Sequence, residues 1–169
     1  YHDLYLVKSK IKRLNWRRLN PIQLSTPVFQ NLLMYGNVIP QSSVVIRKSL
    51  LEKVGGQAQE KAMISGEDYD CWLRVAMHTE RFERIDKTLG YYWVGGGNLT
   101  SPERTLKLCD ELRDRYFRNP SDCTPGWYHN QMGKAYFHLS CYDKAIPHLQ
   151  NSFSKNKSLI KRLKIILMI

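Results

Sequence analysis

Three carboxylates lie within one short stretch of the chain, at Glu67, Asp68 and Asp70. The stretch reads Gly66-Glu67-Asp68-Tyr69-Asp70-Cys71-Trp72-Leu73-Arg74. In the first turn of a helix, the helix dipole and the unpaired backbone N–H groups keep a carboxylate ionised and hold it in place, as a general base requires. The stretch could therefore supply the base of a proton-transfer reaction.

The same stretch also has a purely structural interpretation. Ser65 could be the N-cap residue of the helix and Asp68 its partner three residues later, although Glu or Gln is usual at that position. Such a capping arrangement needs no catalysis. Residue chemistry alone leaves both interpretations open.

A helix over residues 66–78 is predicted to present these carboxylates. Four apolar residues follow the helical spacing i, i+3, i+4 and i+7: Tyr69, Trp72, Leu73 and Ala76. This stripe predicts an amphipathic helix whose apolar face is buried, with Trp72 as an anchor in the core. Asp70 and Arg74 are one turn apart on the other face and are expected to form an ion pair.

The segments on either side of this helix predict a mixed α/β arrangement. We predict, in chain order, a helix over residues 27–34 that ends at Tyr35-Gly36-Asn37, a buried β-branched strand over 43–47, a helix over 49–54, and a strand over 82–94 with a bend near Asp86-Lys87. Gly95-Gly96-Gly97 ends the last strand and lacks the setting of a phosphate-binding loop, so it is interpreted as a hinge or turn.

The remainder of the chain predicts helices only, over residues 102–118, 127–139, 142–153 and 158–169. Small and aromatic residues there are spaced as in a tetratricopeptide unit: Met132-Gly133, Ala135-Tyr136, Tyr142 and Ala145. We therefore expect an antiparallel helix pair in which Pro147 is a departure from the pattern. The last helix combines apolar and basic residues, and it could either lie on an anionic membrane surface or cover the repeat as a cap.

Composition limits the classes of protein to which the chain can belong. Its 169 residues are 43% hydrophobic and 24% charged, as in globular proteins, and no run approaches the roughly 18 apolar residues of a membrane span. Four widely spaced cysteines, with no C-x-x-C pair, favour free thiols in a reducing cytoplasm over a secreted disulfide framework, and they indicate no metal site. Residues 1–7 do not form a secretory signal, and because the first residue is Tyr1 we expect the chain to be part of a longer one.

The net charge of +11 is concentrated near the two ends of the chain. The clusters are Lys8, Lys10, Lys12, Arg13, Arg17 and Arg18, and Lys155, Lys157, Lys161, Arg162 and Lys164. Such clusters attract anions of several kinds. Aromatic residues are not interleaved with them and no nucleic-acid module signature is present, so we expect no nucleic-acid partner.

Several strings, in this order, resemble the second half of a family-2 glycosyltransferase of the GT-A fold. They are Asn37-Val38-Ile39, Ser42-Ser43-Val44-Val45-Ile46-Arg47-Lys48, Val54-Gly55-Gly56, Gly66 to Arg74 as given above, and Leu89-Gly90-Tyr91-Tyr92-Trp93-Val94. Tyr1-His2-Asp3-Leu4-Tyr5-Leu6 resembles the strand that follows the metal-binding D-x-D of such enzymes. The resemblance covers about residues 1–100, and Glu67-Asp68-x-Asp70-x-Trp72-Leu73-Arg74 is its most specific element.

The resemblance implies a partial GT-A-like mixed sheet with flanking helices over residues 1–100. The pattern of the remaining residues predicts a linking helix over 101–122 and a tetratricopeptide-like all-α tail over 123–169. The resemblance also implies that Asp68 is the catalytic base, with Glu67 as its neighbour. The complete enzyme would transfer a sugar, with inversion, from a nucleotide-sugar donor to a hydroxyl of a carbohydrate or lipid-linked acceptor, with Mg²⁺ or Mn²⁺ stabilising the departing diphosphate.

Two departures from the family pattern bear on activity. The nucleotide-binding first half with its D-x-D is absent from the sequence, and Gly95-Gly96-Gly97 stands where many relatives carry a histidine. We therefore expect this chain alone to be inactive and to bind neither donor nor metal tightly. We expect a cytoplasmic enzyme of polysaccharide or glycoconjugate synthesis that could associate with the inner face of the membrane. The alternative is a non-catalytic helical-repeat module that binds a protein partner through its tail.

Overall fold

The structure, a computed structural model, describes residues 1–7, 17–94, 100–118 and 124–155. The chain divides into two compact units. The first comprises Tyr1–Leu33, Asn37–Ala58 and Glu67–Asn98, and the second comprises Met34–Gly36, Gln59–Gly66 and Leu99–Ile169. The described residues form a small mixed sheet and six α-helices, so the fold is mixed α/β and mostly helical.

The sheet of the first unit has three strands in the order β2-β1-β3. Strand β1 is His2–Val7, β2 is Arg18–Leu19 and β3 is Ile85–Trp93. Strand β1 pairs antiparallel with β2 and parallel with β3. The register with β3 shifts twice. Two residues of β3 lie between the partners of His2 and Asp3, and one residue of β3 lies between the partners of Asp3 and Leu4. The first irregularity lies at Asp86-Lys87, where the sequence predicts a bend.

Three helices belong wholly or largely to the first unit: α1 is Val28–Tyr35, α2 is Lys48–Lys53 and α3 is Glu67–Ala76. Each lies within one or two residues of a predicted helix. All four residues of the predicted stripe on α3 are buried, which confirms the period that the sequence indicates. The core of this unit also holds Leu4, Leu32, Ile39 and Cys71, each no more than 1% exposed.

The predicted buried strand over residues 43–47 is wrong. A short 3₁₀ helix covers Gln41–Ser43, and residues 44–47 are irregular. Val44 does adopt an extended conformation, with φ −105° and ψ 135°, as a β-branched residue favours. An extended segment becomes a strand only when another strand pairs with it, and the described residues provide none here. Val45 is accordingly 93% exposed.

The second unit is helical. Helix α4 is Pro102–Tyr116, α5 is Gly126–His138 and α6 is Tyr142–Lys155. Ser101 caps α4 by accepting a hydrogen bond from the backbone N–H of Arg104 at 3.3 Å, and Pro102 occupies the first turn, where its missing N–H costs nothing. Cys109, Tyr128 and Met132 form a buried cluster between α4 and α5.

The antiparallel pair predicted in the tail is confirmed by α5 and α6. The hydroxyl of Ser152, near the end of α6, donates to the carbonyl of Gly126, at the start of α5, over 3.0 Å. Gly133 lets the helices approach closely, since a Cβ there would lie 2.8 Å from Cγ and Cδ2 of Leu149. Pro147 is accommodated inside α6.

Other predictions fall outside the described residues. These are the turn at residues 95–97, the break at 119–122 and the helix over 158–169. Within the described ranges, Cys71, Cys109 and Cys141 are free thiols, and none of the helices has the length and apolar character needed to cross a membrane.

Two histidines connect α5 and α6. The Nδ1 atoms of His129 and His148 are 3.0 Å apart, and Nε2 of His129 is 2.8 Å from the hydroxyl of Thr124. Burial, together with the charges of Lys155 and His148, lowers the pKa of His129 to about 4. Burial also lowers the pKa of His148. Both rings are therefore neutral at neutral pH, which lets one donate a hydrogen bond to the other.

We expect Gly133→Ala to destabilise the chain by about 1–2 kcal/mol, because overpacking against Leu149 outweighs the roughly 1 kcal/mol that alanine gains over glycine within a helix. Urea unfolding measures the change. Gln131→Ala, on the exposed side of α5, is the control and should stay within about 0.5 kcal/mol of the wild type. A Gly133→Ala variant as stable as the wild type would contradict the close approach of the helices.

We expect the free energy of unfolding to fall as the pH drops from 6.5, the ordinary pKa of histidine, towards about 4. In this window the unfolded chain binds a proton at His129 that the folded chain does not. The contribution of His129 to the free energy of unfolding is therefore fully present above pH 6.5 and is lost on acidification. His129→Gln should weaken the dependence, whereas His138→Gln, exposed on the same helix, should retain it. If the free energy of unfolding depended on pH equally in both variants, its assignment to His129 would be refuted.

Candidate functional site

Asp68 is the second residue of α3, and its carboxylate is held through one oxygen. The backbone N–H of Tyr69 donates to Oδ1 at 2.7 Å, and the side-chain amide of Asn37 donates to the same oxygen at 3.0 Å. Oδ2 makes no hydrogen bond with any residue that the structure describes. One oxygen is therefore fixed, and the other remains available to a ligand.

Two hydrogen bonds connect α3 to the chain on either side of Asn37. The hydroxyl of Tyr69 donates to the carbonyl of Leu32 at 2.8 Å, and the indole N–H of Trp72 donates to the carbonyl of Ile39 at 3.2 Å. Leu32 and Ile39 are themselves fully buried. The expectation that Trp72 anchors the helix in the core is thus confirmed.

The end of α1 delivers Asn37 to this position. Gly36 follows the last residue of α1 and has φ +80°, a left-handed conformation that glycine adopts without steric cost. The chain therefore leaves the helix at the predicted Tyr35-Gly36-Asn37 cap and turns toward the start of α3. Asn37 and Asp68, 31 residues apart in the sequence, become neighbours in this way.

Asp68 lies on the wall of a cleft of about 690 Å³ within the first unit. The cleft is lined by Leu6, Leu19, Asn20, Pro21, Ile22, Asn37, Val38, Pro40, Gln41, Ser42, Asp68, Tyr92 and Val94. Among these described residues the only ionisable carboxylate is Asp68, and none is cationic. The other polar groups are three amides, a serine hydroxyl and a tyrosine, set among apolar side chains.

The environment raises the pKa of Asp68. Burial is the main cause, the hydrogen bonds from Asn37 and the Tyr69 N–H oppose it, and the charge of Glu67 adds to it. A carboxylate with a raised pKa is a stronger base than one at the ordinary value. Its position and its basicity both suit proton transfer at the cleft wall.

Glu67, the other predicted catalytic residue, is not one of the residues that line the cleft. Its Oε2 atom is buried and has no hydrogen-bond partner among the described residues. Its effect on the site is electrostatic, through the pKa of Asp68.

Asp70 forms the predicted ion pair with Arg74, at 2.7 Å. Asp70 is completely buried, and Arg74 also donates to the carbonyl of Val54. The third carboxylate of the stretch therefore has a structural role.

Sequence reasoning did not identify Asn37, Asn20, Gln41 or Tyr92 as cleft residues. Asn37 and Tyr92 lie in strings that carry the family resemblance, but nothing in the sequence indicates their distance from Asp68. Asn20 and Gln41 carry no local signal, because neutral amides are common in loops.

In the described residues, no group of three or more His, Cys, Asp and Glu side chains is placed to hold a metal ion. Comparisons of the chain with protein-family models, with curated proteins and with solved structures find no match. Function is therefore inferred from the chemistry of the cleft.

We expect Asp68→Asn to be at least as stable as the wild type at neutral pH. Because the folded pKa lies above the unfolded value of about 3.9, the stability linked to Asp68 is fully present below that value and is lost as the pH rises through the folded pKa. Asparagine carries no charge, so it avoids the cost of a partly buried carboxylate at neutral pH, and its side-chain oxygen can still accept both hydrogen bonds.

Thermal unfolding at about pH 4 and pH 7 measures the difference, which should favour the variant more at pH 7. Asp70→Asn is the contrasting variant and should lose about 2–4 kcal/mol, because it leaves Arg74 without its charged partner. A loss of more than about 1 kcal/mol in Asp68→Asn at pH 7 would contradict the raised pKa of Asp68 and would indicate that its negative charge stabilises the fold.

Proposed function

We propose that the first unit is the acceptor-side portion of an inverting glycosyltransferase of the GT-A fold, and that Asp68 is its general base. The donor is a nucleotide sugar, and the acceptor is a hydroxyl of a carbohydrate or of a lipid-linked sugar, in polysaccharide or glycoconjugate synthesis. The observation that carries the proposal is the Asp68 carboxylate at the cleft wall, fixed through Oδ1 and open at Oδ2.

The lining of the cleft suits a neutral sugar. Asn20, Asn37, Gln41 and Ser42 offer both donors and acceptors to hydroxyl groups. The ring of Tyr92 and the apolar side chains beside it offer contact to the C–H faces of a sugar ring. A mostly apolar concavity with a few polar groups is typical of small-molecule sites.

In the proposed step, Oδ2 of Asp68 accepts the proton of the acceptor hydroxyl as that oxygen forms a bond to the anomeric carbon of the donor. The bond from the anomeric carbon to the diphosphate oxygen breaks, and the nucleoside diphosphate leaves with the electron pair. Attack opposite to the leaving group inverts the anomeric configuration. Protonated Asp68 then returns its proton to water.

The described residues do not fit the divalent cation that the family resemblance implies. Mg²⁺ and Mn²⁺ in such enzymes bind carboxylates together with substrate phosphates, yet Asp68 is the single carboxylate among the described residues of the cleft, and no cationic group there could hold a diphosphate. Under the proposal, donor binding belongs to a nucleotide-binding half of the enzyme.

A second function is favoured by the helix pair α5–α6. Two closely packed antiparallel helices are the unit from which helical-repeat interaction surfaces are built. We propose that this pair binds a protein partner. It does so either in addition to catalysis by the first unit or, in the rival interpretation, as part of a non-catalytic binding module. The rival interpretation assigns no reaction to Asp68.

In an active polypeptide that contains this chain, we expect Asp68→Asn to lower kcat by about 100- to 10,000-fold and to leave the KM for the donor nearly unchanged. Asparagine preserves the shape of the side chain but cannot accept the acceptor proton. Steady-state kinetics with nucleotide sugars and saccharide acceptors measure the effect, and Asp143→Asn, exposed on α6, is the control. Full activity in Asp68→Asn would exclude the proposed role.

A further inference from the structure

The two hydrogen bonds to Asp68 fall on the same oxygen, and one of them comes from a side chain. We infer that Asn37 is a positioning residue for the general base: together with the Tyr69 N–H it holds Oδ1, and it thereby leaves Oδ2 as the oxygen that meets the acceptor hydroxyl. This inference rests on the proposed function of Asp68.

The backbone around Asn37 is built to keep this contact. Leu32 and Ile39, on either side of it, accept hydrogen bonds from the α3 side chains Tyr69 and Trp72, and the left-handed Gly36 sets the direction of the chain between them. The separation between Asn37 and the start of α3 is therefore fixed by buried contacts. A general base held in this way meets its substrate in one orientation, which is worth a large factor in rate.

The side chain of Asn37 has no other hydrogen bond among the described residues, and Asn37 itself is exposed at the rim of the cleft. A residue that served only to stabilise the fold would be expected to bond the backbone or to be buried. Its contact is instead with Asp68, the one carboxylate among the described residues of the cleft lining.

The hydrogen bond from Asn37 also acts on the charge of Asp68. Burial raises the pKa of Asp68, and the hydrogen bond from Asn37 is the largest of the contacts that lower it. Asn37 therefore keeps the carboxylate ionised, and so able to accept a proton, within a partly desolvated site.

The test is a pH titration of the Asp68 side-chain carboxyl by ¹³C NMR on this chain, in the wild type, Asn37→Leu and Asn20→Leu. Asn20 is the matched control, because it is also an exposed asparagine of the cleft lining but makes no hydrogen bond to Asp68. We expect the pKa of Asp68 to rise in Asn37→Leu and to stay at the wild-type value in Asn20→Leu. Backbone amide shifts in the same spectra verify that each variant is folded.

Asn37→Leu is then measured in an active polypeptide that contains this chain. We expect Asn37→Leu to lower kcat by about 10- to 100-fold, less than Asp68→Asn does, and to move the acidic limb of the pH–rate profile to higher pH. An unchanged Asp68 pKa in Asn37→Leu overturns the role of Asn37 even when transfer depends on Asp68. Transfer that is insensitive to Asp68→Asn overturns the proposed function, and the inference with it, even when the pKa responds.

Discussion

The attachment of α3 to the chain around Asn37 is the constraint on which the candidate site depends. The helix buries an aromatic and aliphatic face, and burial of Tyr69 and Trp72 is favourable only if the hydroxyl and the indole N–H find acceptors. The carbonyls of Leu32 and Ile39 supply them. Because each such bond contributes about 1 kcal/mol and an unmade one costs more, the relative position of the two segments is fixed, and with it the contact between Asn37 and Asp68.

The same arrangement places a carboxylate where solvation is incomplete. The free-energy cost appears as the raised pKa of Asp68 and is only partly offset by its two hydrogen bonds. Asp70, two residues further along, is also removed from water, but its charge is compensated by an ion pair with Arg74. Two carboxylates of one helical turn thus differ in role. Asp70 is paired with a cation inside the fold, whereas Asp68 lines a cleft and has one oxygen without a hydrogen bond from the described residues. Groups with perturbed pKa values are concentrated at functional sites in proteins.

The second unit depends on the close packing of two helices. Helices α5 and α6 approach closely because Gly133 has no side chain opposite Leu149, and a pair of neutral histidines makes one of the polar contacts between them. Close approach removes water from the imidazoles, and this desolvation is the largest of the causes that lower the pKa of His129 to about 4, ahead of the charges of Lys155 and His148. Packing and protonation are therefore linked in this unit, as they are at Asp68, although the groups and the signs differ.

The sequence alone determined the features that depend on local periodicity and chemistry. The 3.6-residue stripe on α3, the one-turn pairing of Asp70 with Arg74, the glycine-ended α1 and the small residues of the α5–α6 pair are all set by neighbours within a few positions. The strand predicted at residues 43–47 was wrong, because a β-branched run specifies an extended backbone but not a pairing partner. The tertiary structure alone decided that Asn37 meets Asp68, that Asp68 rather than Glu67 lines the cleft, and that neutral amides surround it. Those facts depend on contacts between residues far apart in the chain, which long-range packing sets and local sequence does not encode.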